Sequence, residues 1–281
     1  MRLGMNYEMK SSSPVKWAED MKALGVRAAS FPLDYHADFR SIDAYKQAAD
    51  DYDIMIAEVG AWSNPMSPNK KEADQAFEKC VEQLKLADHI GAKCCANISG
   101  AAGDIWDGAY FENFDPDFYA RMVEKTQEIL EKAAPEKTHY AIEPMPWMVP
   151  TGPDEYLKLI QDVGSPRMAV HLDMVNWMNS YDRVFYQQKF MDEVFEKLHG
   201  RIVSCHFKDF ILQQKLTFQV KEAPVGKGMF DLDYYVRKVN EEDPDLPLMI
   251  EHLPSRAAYI RSMKYINSRY AGTTGVAGTA E

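Results

Sequence analysis

Residues 138–173 read THYAIEPMPWMVPTGPDEYLKLIQDVGSPRMAVHLD. A β-rich run, 138–143, ends on Glu143. A helical pattern follows near 153–163. A second β-rich run, 168–173, then ends on Asp173. Strand, helix, strand in this order is a βαβ unit with parallel strands, so both acidic residues come to lie at the same end of the sheet.

Working outward, the alternation covers the chain. Upstream strands are expected over 2–7, 26–31, 54–59 and 93–98, and downstream ones over 201–206 and 248–252. Helical patterns separate them at about 14–24, 42–52, 70–90, 116–134, 182–198, 232–240 and 256–269. Ser13 before Pro14 is an N-cap followed by proline at the first helical position, and Gly91 is placed to close the third helix in a left-handed cap. Eight such units predict an α/β fold, a single (β/α)8 TIM barrel with a parallel eight-stranded core over residues 1–270. The 281 residues suit a barrel, which typically needs ~250. A doubly wound open sheet is the alternative, but neither G-x-G-x-x-G after the first strand nor G-x-x-x-x-G-K-[ST] occurs. The tail, 271–281, is small, polar and without periodicity, and is expected to be disordered.

Composition narrows the class. Asp plus Glu number 43 against 32 Lys plus Arg, a net charge of −11, which argues against nucleic acid as a partner. No run approaches ~18 consecutive apolar residues, so no membrane span is expected. The N-terminus shows no signal-peptide pattern, and a cytoplasmic location is the default expectation. Cys80, Cys94, Cys95 and Cys205 form no C-x-x-C pair. Three of them fall in expected strands, where cysteine usually packs as a small hydrophobe.

Glu143, Asp173, His206 and Glu251 each sit at or near the C-terminal end of an expected strand, the fifth to the eighth. In a closed barrel these ends are neighbours on the rim where barrel enzymes build their sites. Three carboxylates crowded together repel one another, so a cation is their natural partner. One imidazole with three carboxylates suits one divalent ion, Mn²⁺ first, with Mg²⁺, Co²⁺ or Zn²⁺ as alternatives.

The segments carrying these residues are Tyr140-Ala-Ile-Glu143-Pro, Val170-His-Leu-Asp173, Ile202-Val-Ser-Cys-His206-Phe-Lys-Asp209 and Leu248-Met-Ile-Glu251. With them the chain resembles the xylose isomerase-like barrel superfamily, in particular its sugar phosphate isomerase/epimerase branch, over nearly its whole length. The resemblance implies one divalent metal held by the four residues. It also implies a sugar isomerase or epimerase that moves a proton beside a carbonyl, with Glu143 and Glu251 as the catalytic acid/base pair. Barrels of this family often pair through helices, so a homo-oligomer stays open.

Three positions depart from ketose 3-epimerases of that superfamily. Asn176 stands where they have histidine, Val149 where they have a second glutamate, and Leu212 where they have arginine. These departures keep a lyase on a keto-sugar, keto-polyol or 3-keto-glycoside as the alternative. Asn176, Lys208, Trp147, His171, Glu58 and Asn6 are the candidate substrate-binding residues. Asn176 could hydrogen-bond a hydroxyl, and the other five each have a structural reading beside the functional one: packing for Trp147, a buried hydrogen bond for His171, a salt bridge to Asp209 or Glu251 for Lys208, and capping or packing for Glu58 and Asn6. His252 follows Glu251 directly and by strand alternation faces the other way. In the segment 223–231, APVGKGMFD, two glycines allow a tight turn. Its backbone N–H groups and Lys227 offer a phosphate cradle, against the plainer reading of a structural turn.

Overall fold

The computed structural model describes residues 1–7, 9, 11–270 and 272. Apart from Gly272, the tail expected to be disordered lies outside the described residues. Eight parallel strands close into a barrel: β1 (Arg2–Met5), β2 (Ala28–Ser30), β3 (Met55–Gly60), β4 (Cys94–Ile98), β5 (His139–Glu143), β6 (Met168–Leu172), β7 (Ile202–His206) and β10 (Pro247–Ile250), with β10 closing on both β1 and β7. The helices between them are α1 (Pro14–Ala23), α2 (Phe39–Asp51), α3 (Lys70–Ile90), α4 (Pro116–Ala133), α5 (Pro153–Val163), α6 (Tyr181–Phe185), α7 (Gln187–Lys197), α8 (Leu232–Glu242) and α9 (Arg256–Tyr270). The expected cap residues act as read. Ser13 Oγ accepts from Lys16 N at 3.2 Å, and Gly91 sits at φ 68° at the end of α3.

Two features differ from the sequence expectation. The single helix expected over 182–198 is two, α6 and α7, meeting at Tyr186 with φ −118°. The stretch after His206, read as a loop, contains an antiparallel hairpin, β8 (Asp209–Leu212) paired with β9 (Val220–Ala223). It rises from the C-terminal rim beside the four ligand-type residues.

Small side chains fill the barrel interior. Cys94, Ala96, Ala141 and Ala169 pack together with Val203, and Ala28 and Ala57 pack with Met249. The large apolar side chains point outward to the helices, where Tyr140, Ile142, Val170, Leu172, Leu248 and Ile250 join one continuous core. This is the period-two division a strand imposes. All four cysteines are buried and unbridged, and burial raises their thiol pKa values, Cys205 to about 12, as packing residues require. Among the described residues no helix is long and apolar enough to cross a membrane.

Register shifts break the alternation at two places. β3 slips against β2 between Ile56 and Glu58, and β7 slips against β6 between Ile202 and Ser204. Ala57 and Val203 pack inside the barrel, as the simple alternation would have it. Without the extra residue Glu58 and His206 would then face outward. The shift turns both into the barrel, a known use of a bulge beside a functional site.

Candidate metal centre

Glu143 ends β5, Asp173 follows β6, His206 ends β7 and Glu251 follows β10. All four are buried, and their ligand atoms lie within 4.8 Å of one another. His206 Nδ1 faces the carboxylates, 2.9 Å from Glu251 Oε1, 3.1 Å from Glu143 Oε1 and 3.5 Å from Asp173 Oδ2. Neighbouring ligands of an octahedral ion bound at about 2.1 Å stand about 3 Å apart, so this spacing fits one divalent cation. Asp173 Oδ2 and Glu251 Oε1 are buried and held by ion pairs to Lys208 and His206 in place of neutral hydrogen-bond donors, the environment of an oxygen that can take a cation. Asp173 Oδ1 is occupied by the backbone N–H groups of Val175 and Asn176, at 2.9 and 3.1 Å, and these fix the carboxylate.

Lys208 supplies positive charge to the same cluster. Its Nζ lies 2.6 Å from both Asp173 Oδ2 and Glu251 Oε1, and 2.8 Å from Glu222 Oε1. Of the two salt bridges weighed from sequence, the one to Glu251 forms. Asp209 instead turns away and accepts from the backbone N–H groups of Phe210, Gly226, Gly228 and Phe230.

The electrostatics follow from burial against crowding. Burial, with the charge of Glu251 adding to it, pushes Glu143 up to about 7 despite the attraction of His206. Burial would raise Glu251 too, but His206 and Lys208 outweigh it and hold that carboxyl at about 2. Burial opposes charge on His206, yet Glu251 and Glu143 raise its pKa well above the ordinary imidazole value. For His171, burial together with the charge of His206 outweighs the carboxylates of Glu58, Glu251 and Asp173 and lowers it to about 4.

The remaining sequence candidates fall into two groups. Glu58 and His171 lie beneath the cluster. His171 Nε2 is 2.9 Å from His206 Nε2 and 3.4 Å from Glu58 Oε2, and Ser30 Oγ donates to Glu58 Oε1 at 2.5 Å. Asn176 and Trp147 lie on the open side. Asn176 Nδ2 donates to Glu143 Oε1 at 3.0 Å and to the Pro144 carbonyl at 3.1 Å. Trp147 is anchored by its Nε1–H to the Asp107 carbonyl at 2.7 Å while much of its ring stays exposed. Asn6 lines a separate cavity with Ser30, Glu58 and Trp62, and its N–H donates to the Ile250 carbonyl.

Sequence reasoning missed Glu222 and His252. β10 ends at Ile250 and His252 adopts φ 54°, so the alternation that turned it away no longer applies. Its Nδ1 lies 3.2 Å from Glu222 Oε1 and 3.4 Å from Lys208 Nζ. Glu222 sits on β9, and the only signal for it was the short segment that forms the hairpin. A cavity of about 630 Å³ opens here, with Trp147, Asn176, Phe218, Glu222 and His252 in its wall.

A family profile described as xylose isomerase-like TIM barrel matches residues 17–269. The chain belongs to the xylose isomerase-like TIM barrel family. Within curated proteins it is 26% identical over 192 residues to a probable L-ribulose-5-phosphate 3-epimerase of Mycoplasma pneumoniae. That alignment takes in 66% of this chain and 54% of the relative, so the chain spans about half the relative's length. In solved structures, this xylose isomerase-like barrel superposes on a probable 3-DHS dehydratase of Bacillus anthracis with a TM-score of 0.72 at 16% identity, covering 96% of this chain and 100% of that one. It superposes on a D-psicose 3-epimerase of Clostridium cellulolyticum H10 with a TM-score of 0.71 at 12% identity, covering 98% and 99%. At these identities the likeness is one of fold.

Proposed function

We propose that this protein is a divalent-metal-dependent sugar isomerase or epimerase, acting on the carbon beside a carbonyl. One observation carries the reading: the buried convergence of Glu143, Asp173, His206 and Glu251 on the barrel rim, at the spacing of ligands to a single ion. Asp173 and His206 would hold the metal, and Glu143 and Glu251 would hold it and handle protons. Mn²⁺ is the preferred ion on the oxygen-rich donor set. When bound, the ion supplies Lewis-acid polarisation of the substrate carbonyl and adjacent hydroxyl, which lowers the cost of an enediolate.

The chain's own residues support proton transfer. Glu143 and Glu251 are two buried carboxyls facing the same His206 nitrogen, at 3.1 and 2.9 Å, and such a pair is placed to serve as one acid and one base. Asn176 holds Glu143 through Nδ2 and can present its amide oxygen to a substrate hydroxyl. Glu58 and His171 act beneath His206, where they orient its ring. Trp147 offers a flat apolar face to a sugar.

Lys208 favours a second outcome on the same site. A buried ammonium 2.6 Å from Asp173 and Glu251 brings positive charge to the site, and offsetting the charge of a departing oxygen is what β-elimination from a keto-sugar or 3-keto-glycoside needs and epimerisation does not. The deciding experiment is incubation of the Mn²⁺-loaded protein with ketoses and 3-keto-glycosides in D₂O. NMR then distinguishes deuterium at the carbon beside the carbonyl in an isomer from an eliminated fragment. Neither product from any sugar, or equal rates after chelation, would sink the reading.

A further inference from the structure

We propose that the substrate carries no phosphate, and that beyond its reacting sugar it extends as an uncharged ring or apolar group lying against Trp147 and Phe218. This rests on the sugar-site reading above and narrows its substrate class.

The first observation concerns the glycine turn after β9, the segment that offered a phosphate cradle. Every backbone N–H from Gly226 to Phe230 is bonded within the protein. Gly226 and Gly228 donate to Asp209 Oδ2 at 3.0 and 2.8 Å, and Phe230 donates to Asp209 Oδ1 at 2.9 Å. Lys227 donates to the Pro224 carbonyl and Met229 to the Phe210 carbonyl. The turn is therefore already wrapped around a buried carboxylate. A phosphate would find no free donor there and would meet a like charge.

The second observation is the charge of the space around the cluster. The residues lining the 630 Å³ cavity include no lysine or arginine, and its ionisable members are Asp107, Glu222 and His252. The cavity on the other flank, about 670 Å³, contains one lysine, Lys79, whose Nζ is tied to the Trp62 carbonyl at 3.0 Å. Lys208 is engaged by three carboxylates. Phosphate recognition calls for convergent charge-assisted donors, and across the two linings Lys79 is the one lysine or arginine.

The third observation is what the cavity offers instead. Trp147 and Phe218 are 41% and 42% exposed within it, beside Met145 and the amides of Asn179, Gln213 and Gln219. Asn176, Glu222 and His252 form its inner end next to Glu143 and Lys208. Phe218 and Gln219 come from the turn of the β8–β9 hairpin, so this wall is an addition to the bare barrel. Aromatic faces with neutral amides at a small distance from a charged cluster suit a second ring, with the carbonyl-bearing sugar at the cluster.

The test is equilibrium binding to the Mn²⁺-loaded protein by calorimetry. The paired probes are phenyl 3-keto-β-D-glucoside against methyl 3-keto-β-D-glucoside, and L-ribulose 5-phosphate against L-ribulose. The expected result is at least tenfold tighter binding of the phenyl than the methyl glucoside, with no gain from the phosphate. Phe218→Ala and Trp147→Ala each shrink the phenyl advantage at least threefold, and Phe218, exposed on a hairpin turn, is removable without disturbing the core. Equal affinity for the two glucosides, no binding of either, or a tenfold preference for the phosphate ester overturns the proposal. Deuterium exchange on L-ribulose 5-phosphate would overturn it while leaving the isomerase reading intact, whereas the absence of exchange on any sugar counts against that reading itself.

Discussion

His171 Nε2 lies 2.9 Å from His206 Nε2, with the two rings edge to face at an interplanar angle of 89°. One nitrogen of such a pair must donate and the other accept. If His206 presents its Nδ1 lone pair to a cation, its proton sits on Nε2, and His171 is the acceptor. His171 is suited to that part because burial and the neighbouring His206 keep it neutral, at about 4. Partners of this kind fix the tautomer and aim of a liganding imidazole.

His171→Ala should therefore weaken Mn²⁺ binding by about 10–100-fold without unfolding the barrel. Titration of Mn²⁺ by calorimetry, with circular dichroism as the fold control, measures this. His171→Asn, which keeps an acceptor, should recover part of the loss. An unchanged dissociation constant in the alanine variant would show that His171 does not act through His206.

Glu143→Gln and Glu251→Gln should each slow deuterium exchange by about 10²–10⁴-fold, the usual contribution of a positioned acid or base. Atomic emission on the purified variants should also show reduced metal content. Full activity with full metal content in both variants would remove the two residues from the proposed chemistry.

The Asp209 turn should be a strong point of stability. Asp209→Ala leaves four backbone N–H groups without their acceptor and should cost about 3 kcal/mol or more, seen as a lower urea midpoint. Gly228→Ala should behave alike, because a Cβ there would come within 2.2 Å of both Asp209 Oδ1 and the Phe210 carbonyl oxygen. A midpoint within error of the parent for either variant would contradict the packing described.

Asp88 gives a pH-dependent case. Its Oδ1 accepts from the N–H groups of Glu136, Lys137 and Thr138 at 2.9, 2.6 and 3.0 Å, joining α3 to the start of β5. Burial raises its pKa, but the backbone donors, Thr138 first, outweigh it and the net shift is downward. A depressed carboxylate contributes stability that is present above its unfolded value, about 3.9, and is lost as pH falls through the lower folded value. Asp88→Ala should thus cost about 1 kcal/mol at pH 7, discounted for the exposure of the carboxyl. The difference from the parent should shrink below pH about 3.9 in thermal unfolding. A difference that persists unchanged into acid would mean the effect is not the charge.

Much of this was legible along the chain. The strand–helix alternation was readable because eight amphipathic units repeat with their turn residues, and the closed barrel has the expected strands within a residue or two at most ends. The hairpin was not readable, since Asp209–Leu212 and Val220–Ala223 are four residues each and their burial changes along the strand instead of alternating from face to face. Its consequence was the omission of Glu222 and Phe218 from the candidate residues. His252 was set aside by an alternation rule that ends with the strand.

The sequence by itself determined the barrel and the strand-end addresses of Glu143, Asp173, His206 and Glu251, because local periodicity dictates element type and a closed parallel sheet makes consecutive strand ends neighbours. Only the tertiary structure decided that Glu58 and His206 face each other inside it. Each is turned inward by a register slip, at Ala57 and at Val203. Such a slip is set by how neighbouring strands settle against one another in the closed sheet, and no propensity of the residues concerned announces it. Tertiary structure also decided that Lys208 joins the carboxylates while Asp209 leaves them. That choice depends on where the turn after β9 brings its backbone donors, some twenty residues further along the chain.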